Sequence, residues 1–325
     1  MIVFFIRRLG QSLLVLLIVG LVAFSMFRFV GDPINNMLGQ ERTQADVDRM
    51  RVELGLDRAI LTQYGIFLKK AVQGDFGVSY RQGRPVIEVL AERAPATLEL
   101  ALVSGALALF FGIVFGMYTA IKRDSFIAKS IMTASLIGVS LPTFLIGIAL
   151  INIFAVKLEL LPSFGRGETV KIGGWTTGFL TRSGLIALIL PSITLGLYQM
   201  TLIMRLVRAE MLEVLRQDYI RFAWARGLKE RSINFNHALR NTLVPVITVT
   251  GLQLGSIIAF AIITETVFQW PGMGLLFVNA IQFVDIPVMA AYLMLISLVF
   301  VTINLLVDML YFAVDPRLRV SGGKG

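Results

Sequence analysis

Side chains able to do covalent or metal chemistry are scarce in this sequence. Its 325 residues include no cysteine and a single histidine, His237, so neither a thiolate site nor an imidazole cluster can be assembled. A serine–histidine dyad would have to use His237 itself, and there is no HExxH stretch or paired intramembrane aspartate motif. What remains is charge. Arg28, Glu99, Glu265 and Asp308 lie within or at the ends of long apolar runs, and eight Lys and Arg fall between Arg205 and Arg240. Burying a charge in hydrocarbon costs a few kcal/mol or more, so a charge kept there has a partner or a task. Arg28 and Glu99 lie near span ends where snorkelling is cheap, which favours a structural role. Glu265, just after Thr264, either faces a path through the membrane or a docked protein, or anchors its helix. Asp308, one turn before Tyr311, reads as a packing partner for a neighbouring helix.

The elements that must position these residues are apolar. Hydrophobic residues make up 56% of the chain and charged ones 16%, with the charges confined to interruptions between runs long enough to cross a bilayer core of roughly 30 Å. Spans are predicted at about 9–30, 97–121, 128–155, 185–204, 242–267 and 288–312. The expected fold is therefore an all-α integral membrane protein with about six transmembrane helices. The net charge of +9 does not point to nucleic acid, because the basic residues sit beside spans, where they hold loops in the cytoplasm. Arg7 and Arg8 precede an apolar run without a small-residue cleavage site, so the first span is expected to be retained. Lys and Arg concentrate on the side holding the termini, which places both termini in the cytoplasm. The segment 31–96 carries nine basic and nine acidic residues and is long enough to escape that rule.

Between the spans, 31–96 is expected to form a small external cap. Thr43 can cap a helix over 44–54 that Gly55 ends, and Leu61, Tyr64, Phe67 and Leu68 follow at helical spacing. The segment from Arg205 to Arg240 is far longer than a connection needs. Leu212, Leu215, Tyr219 and Phe222 predict one apolar face on a helix over 205–226, with Arg208, Glu213 and Arg216 wet. Ala223, Ala225 and Gly227 then remove bulk, Gly227 suits a left-handed turn, and a second short helix runs from Lys229 to Arg240. Such a hairpin either docks into a partner's groove or rests on anionic headgroups. His237 reads as a surface residue. Pro142 and Pro191 fall inside spans and would bend them. Gly105, Gly112 and Gly116 would let helices approach closely.

The stretch Asp218-Tyr219-Ile220-Arg221-Phe222-Ala223-Trp224-Ala225-Arg226-Gly227-Leu228, followed by His237-Ala238-Leu239-Arg240-Asn241, resembles the EAA loop of importer-type ABC permeases. The acidic residue stands early, at Asp218, and Arg240 occupies the position expected to be proline; both departures resemble the B-type subunit of the oligopeptide and dipeptide permeases. Likeness extends over the chain in order. It includes Gly31-Asp32-Pro33, Leu54-Gly55-Leu56-Asp57, Gly74-Asp75-Phe76-Gly77, Pro95-Ala96-Thr97-Leu98-Glu99-Leu100, Ser140-Leu141-Pro142-Thr143-Phe144, Glu265-Thr266-Val267-Phe268, Trp270-Pro271-Gly272 and Asp315-Pro316-Arg317.

The resemblance implies a type I ABC importer permease: residues 1–30 as tail and first span, 31–96 outside, 97–312 as a five-helix core holding the 205–240 coupling loop, and 313–325 as a cytoplasmic tail. It implies that Asp218, Tyr219, Arg221, Ala223, Ala225, Arg226, Gly227 and His237 contact a cytoplasmic ATPase, and that Glu265, Phe268, Pro142 and Ser140 belong to the transport path or to receptor docking. Implied partners are a homologous second permease subunit, two ABC ATPases, an external binding protein, a peptide cargo and membrane lipid, in a bacterial inner membrane. No cofactor is expected on this chain, ATP and magnesium belonging to the ATPases. Glutathione, nickel chelates or opine-like compounds are the alternative cargoes, and an ion-coupled secondary transporter is the alternative of another class.

Overall fold

The computed structural model describes residues 2–29 and 59–314. The expected helix at 44–54 with its Thr43 cap, the Gly31-Asp32-Pro33 and Asp315-Pro316-Arg317 motifs, and the side chains of Arg28 and Asp308 lie outside what is described.

The long helices are α1 (Ile2–Phe29), α3 (Val86–Ile121), α6 (Arg182–Val214), α8 (Arg240–Val267) and α10 (Ile286–Val314). Shorter ones are α2 (Ile60–Val72), α4 (Phe126–Ser140), α5 (Thr143–Leu150), α7 (Asp218–Ala225) and α9 (Met273–Gln282). Among the described residues, stretches of α1, α3, α6 and α10 are each long and apolar enough to cross a membrane. The expected third span is not one helix. α4 and the helix over Thr143–Lys157 meet at a bend of 111°, because Leu141 is extended and Pro142, lacking an N–H, opens a new helix instead of continuing the old one. The remaining expected span coincides with α8, apolar over Gly255–Val267 among the described residues.

Two compact units divide the chain: Ala96–Trp270 with Thr302–Gly325, and Ile2–Pro95 with Pro271–Val301. In the first, α6 is the central helix. Three apolar clusters succeed one another along it. Leu188 and Leu195 pack with Leu100, Ile257 and Trp270; Ile203 and Val207 with Ala108 and Val246; Met211 with Ala120, Ile220, Ala223, Ile233 and Ala238. α3 meets α6 closely at two of the three predicted glycines, Gly112 and Gly116. A Cβ on Gly116 would lie 2.7 Å from the Met204 carbonyl oxygen and one on Gly112 2.8 Å from Ile203, so bulk is excluded there. Two helix starts are capped by side chains: Ser125 Oγ accepts from Ala128 N–H and Thr181 Oγ1 from Gly184 N–H, both at 3.1 Å. The glycine-rich loop holds an unexpected two-stranded hairpin, β1 (Val170–Ile172) antiparallel to β2 (Trp175–Thr177), turning at Gly173 with φ 61°.

In the second unit α2 packs on α1. Tyr64 donates its hydroxyl to the Leu17 carbonyl at 2.6 Å, and Phe67 lies 6.1 Å from Phe24 and 5.8 Å from Phe27. Leu61, expected on the same face, is exposed. Asp285, buried just after α9, accepts from Ser79 Oγ and from the amides of Tyr80 and Arg81 at 3.2 and 3.4 Å. The turn delivering it places Val284 at φ 52°, unusual for a β-branched residue.

Candidate coupling surface and transport path

The predicted 205–226 helix is two helices. α6 runs on past its span to Val214, a turn follows, and α7 starts at Asp218, whose charge suits the first turn. Breaking the helix rotates the faces. Ile220 and Ala223, three apart, are buried against Met211, Ile233 and Ala238. Tyr219 and Phe222, expected on the buried face, point outward instead at 43% and 61% exposure, joined by Trp224 at 51%.

Around these aromatics stand exposed Asp218, Arg221 and Arg226, the Arg226 guanidinium 5.1 Å above the Phe222 ring. Ala225 is exposed as well, whereas Ala223 is not. Gly227 closes the helix at φ 74° with open space where a Cβ would stand. The expected second short helix begins at Glu230–Ser232, passes through a π-helical turn over Ile233–Leu239 and runs unbroken into α8. His237 is half-buried on that turn. Asn241 Nδ2 donates to Tyr219 Oη and to the His237 carbonyl, each at 2.9 Å. The end of α6 and the turn leading into α8 thus both pack against α7.

Ser140 and Pro142 flank the bend between α4 and α5 and line a cleft of about 490 Å³ with Thr143, Phe144, Tyr198 and Gln199. Glu265 and Phe268 do not join them. Both are buried within the first unit, at 0% and 1% exposure, so neither presents a side chain to a path or a receptor in this conformation.

The sequence comparisons decide what kind of protein carries this arrangement. Residues 112–320 match the family described as the binding-protein-dependent transport system inner membrane component, and residues 1–101 match the N-terminal region of such components. The chain belongs to that family. A dipeptide transport system permease protein, DppB, of Alkalihalophilus pseudofirmus is 36% identical over 332 residues, covering 98% of this chain and 100% of the relative. A glutathione transport system permease protein, GsiC, of Pectobacterium atrosepticum is 38% identical, covering 97% of this chain and 98% of the relative. The fold is similar to that of the inward-facing MetNI methionine ABC transporter, with a TM-score of 0.55 and 18% identity over 70% of this chain and 96% of that one. This permease is a multi-pass membrane protein.

In this inner membrane component two buried polar pairs were not legible from the sequence. Glu99, read as a snorkelling residue, is 1% exposed and meets Arg166 of the glycine-rich loop at 2.6 Å, with Arg166 7% exposed. Arg166 also donates to the Thr176 carbonyl at 2.7 Å, and Gly178 N–H to Glu99 Oε2 at 3.3 Å. Glu265 accepts from Thr97 Oγ1 at 2.5 Å, while its own carbonyl accepts from Trp270 N–H at 2.8 Å. Trp270 Nε1 in turn donates to the Ala96 carbonyl at 2.9 Å. The only sequence sign of either pair was the improbability of a lone charge beside a span.

Proposed function

We propose that this chain forms half of the translocation path of an ATP-driven importer of di- and oligopeptides, with a homologous permease as the other half. The observation that carries this is α7: a short helix whose inner face is locked to α6 and α8 while its outer face exposes three aromatic rings and two arginines. Exposed apolar surface rimmed by charge marks a protein contact. A cytoplasmic ATPase occupies it, and nucleotide-driven closure of two ATPases moves α7 as a lever on both long helices. ATP and magnesium stay on the ATPases.

The excess of Lys and Arg on one side puts both termini and α7 in the cytoplasm of a bacterial inner membrane, with an external binding protein delivering cargo from the other side. Short peptides are the cargo that relatives named for dipeptides and for glutathione have in common.

Reconstitution with its ATPases and binding protein should give uptake of a labelled dipeptide into proteoliposomes that requires ATP. Uptake by the chain alone, driven by an ion gradient, would contradict the assignment and favour a secondary transporter.

A further inference from the structure

A cleft of about 500 Å³ within the second unit holds two arginines and no free counter-charge. Arg81, Arg93, Asn279, Gln282, Phe283 and Asp285 are among its lining residues. Both arginines are exposed. The Arg81 guanidinium carbon stands 3.4 Å from the centre of the Phe283 ring, a face contact that steadies the group and leaves its N–H edge free to donate.

The acids nearby are already engaged. Glu88 and Glu92 both pair with Arg84, at 3.5 and 2.6 Å. Asp285 is 3% exposed and accepts from Ser79 Oγ and from the amides of Tyr80 and Arg81, so its charge goes into holding the turn that carries Arg81. Among the described residues, neither Arg81 nor Arg93 has a side-chain hydrogen bond or ion pair to a carboxylate. Two cations that share a cleft repel, and an anion entering it relieves both.

The chemistry fits a carboxylate on a protein. A guanidinium fork matches a carboxylate in two parallel hydrogen bonds, the carboxamides of Asn279 and Gln282 add donors and acceptors, and Phe283, 54% exposed, adds apolar area. Arginine beside an exposed aromatic ring is the composition of a protein contact. An anionic headgroup would meet the same charges, but the negative surface potential that draws basic residues to lipid belongs to the cytoplasmic leaflet. In the orientation proposed above, residues 59–95 and those that follow α8 are external. Arg84, neutralised by two acids, also confines the positive charge to the cleft instead of spreading it over a membrane-facing surface.

Resting on the importer assignment and its orientation, we propose that this cleft is a docking point for the external binding protein, which inserts an acidic side chain between Arg81 and Arg93. The Arg81 fork takes the carboxylate, Arg93 supplies the second charge, and Phe283 packs against the loop that carries the acid. The pairing also selects among binding proteins, because one without an acid at that place leaves both arginines unpaired.

The test titrates cargo-loaded binding protein against ATP hydrolysis by the complete importer, held in nanodiscs of phosphatidylcholine alone or with phosphatidylglycerol added. Wild type, Arg81→Gln and Arg93→Gln are compared at low and high salt. Each variant should raise the half-saturating concentration of binding protein roughly fivefold to tenfold at low salt, reach the wild-type plateau, and depend less on salt than the wild type does. The shift should be the same in both lipids. Equal half-saturating concentrations in wild type and both variants would overturn the docking point and leave the importer assignment standing. A shift confined to discs containing phosphatidylglycerol would overturn it by giving the cleft to lipid. A lower plateau without a shift would overturn it by making the arginines structural. Failure of the binding protein to stimulate the wild type at all would overturn the importer assignment, and the docking point with it.

Discussion

Thr97 Oγ1 donates a 2.5 Å hydrogen bond to Glu265 Oε1, tying the second apolar span to the end of α8 across 168 residues of sequence. Glu265 is 0% exposed, and the Trp270 indole closes the same corner through the Ala96 carbonyl. The carboxylate is therefore a fastening of the first unit. Thr97→Val, which leaves it short of a donor, should destabilise the protein by about 1–3 kcal/mol, whereas Thr97→Ser should change stability little. Thermal unfolding in detergent measures both. Unchanged stability in Thr97→Val, with uptake lost, would instead return Glu265 to the transport path.

Arg166 and Glu99 form the second fastening, joining the glycine-rich loop to α3. Removing one member of a buried ion pair costs about 3–5 kcal/mol, while replacing both by neutral groups of similar size is often close to neutral. Arg166→Met should therefore lower the unfolding temperature sharply, and Arg166→Met with Glu99→Gln should restore most of it. Additive losses in the double variant would show that the two residues act independently.

The helical class, the positions of four of the six expected spans and the close approach of α3 to α6 at Gly112 and Gly116 were legible in the sequence, since each follows from local composition and small-residue placement. The faces of α7 were not. Tyr219 and Phe222 continue the spacing of Leu212 and Leu215, and nothing in that periodicity shows that the helix stops at Val214 and restarts at Asp218. Pro142 was visible as a disturbance, but whether proline bends a helix or separates two depends on what the extended residue before it packs against. Pairs such as Glu99–Arg166, 67 residues apart, are products of tertiary packing.

Close packing at Gly116 predicts sensitivity to added bulk. A Cβ there would meet the Met204 carbonyl oxygen at 2.7 Å and Val207 at the same distance, and backbone cannot yield as a flexible side chain does. Gly116→Val should cost about 1–3 kcal/mol through overpacking, read as a lower unfolding temperature; Gly10→Val on α1, where a Cβ meets nothing within 4 Å, serves as the control and should be neutral.

Gly227 separates strain from bulk. Its φ of 74° penalises any side chain, yet the Cβ position is open. Gly227→Ala should cost about 1–2 kcal/mol and retain uptake. Gly227→Trp should reach the membrane in normal amount and abolish uptake, because the added ring stands beside the α7 surface. Full uptake by Gly227→Trp would remove the reason for placing the coupling contact there.

The central claim is that an ATPase covers the outer face of α7 from the cytoplasm, and the absence of cysteine from the chain makes it directly testable. Phe222→Cys, at a position 61% exposed, places a single thiol on that face in the full importer. The account predicts cross-linking to the ATPase subunit that changes in yield when ATP is added, with no labelling by an impermeant thiol reagent applied outside intact cells. Labelling from outside, or cross-linking that captures lipid but no ATPase, would contradict it.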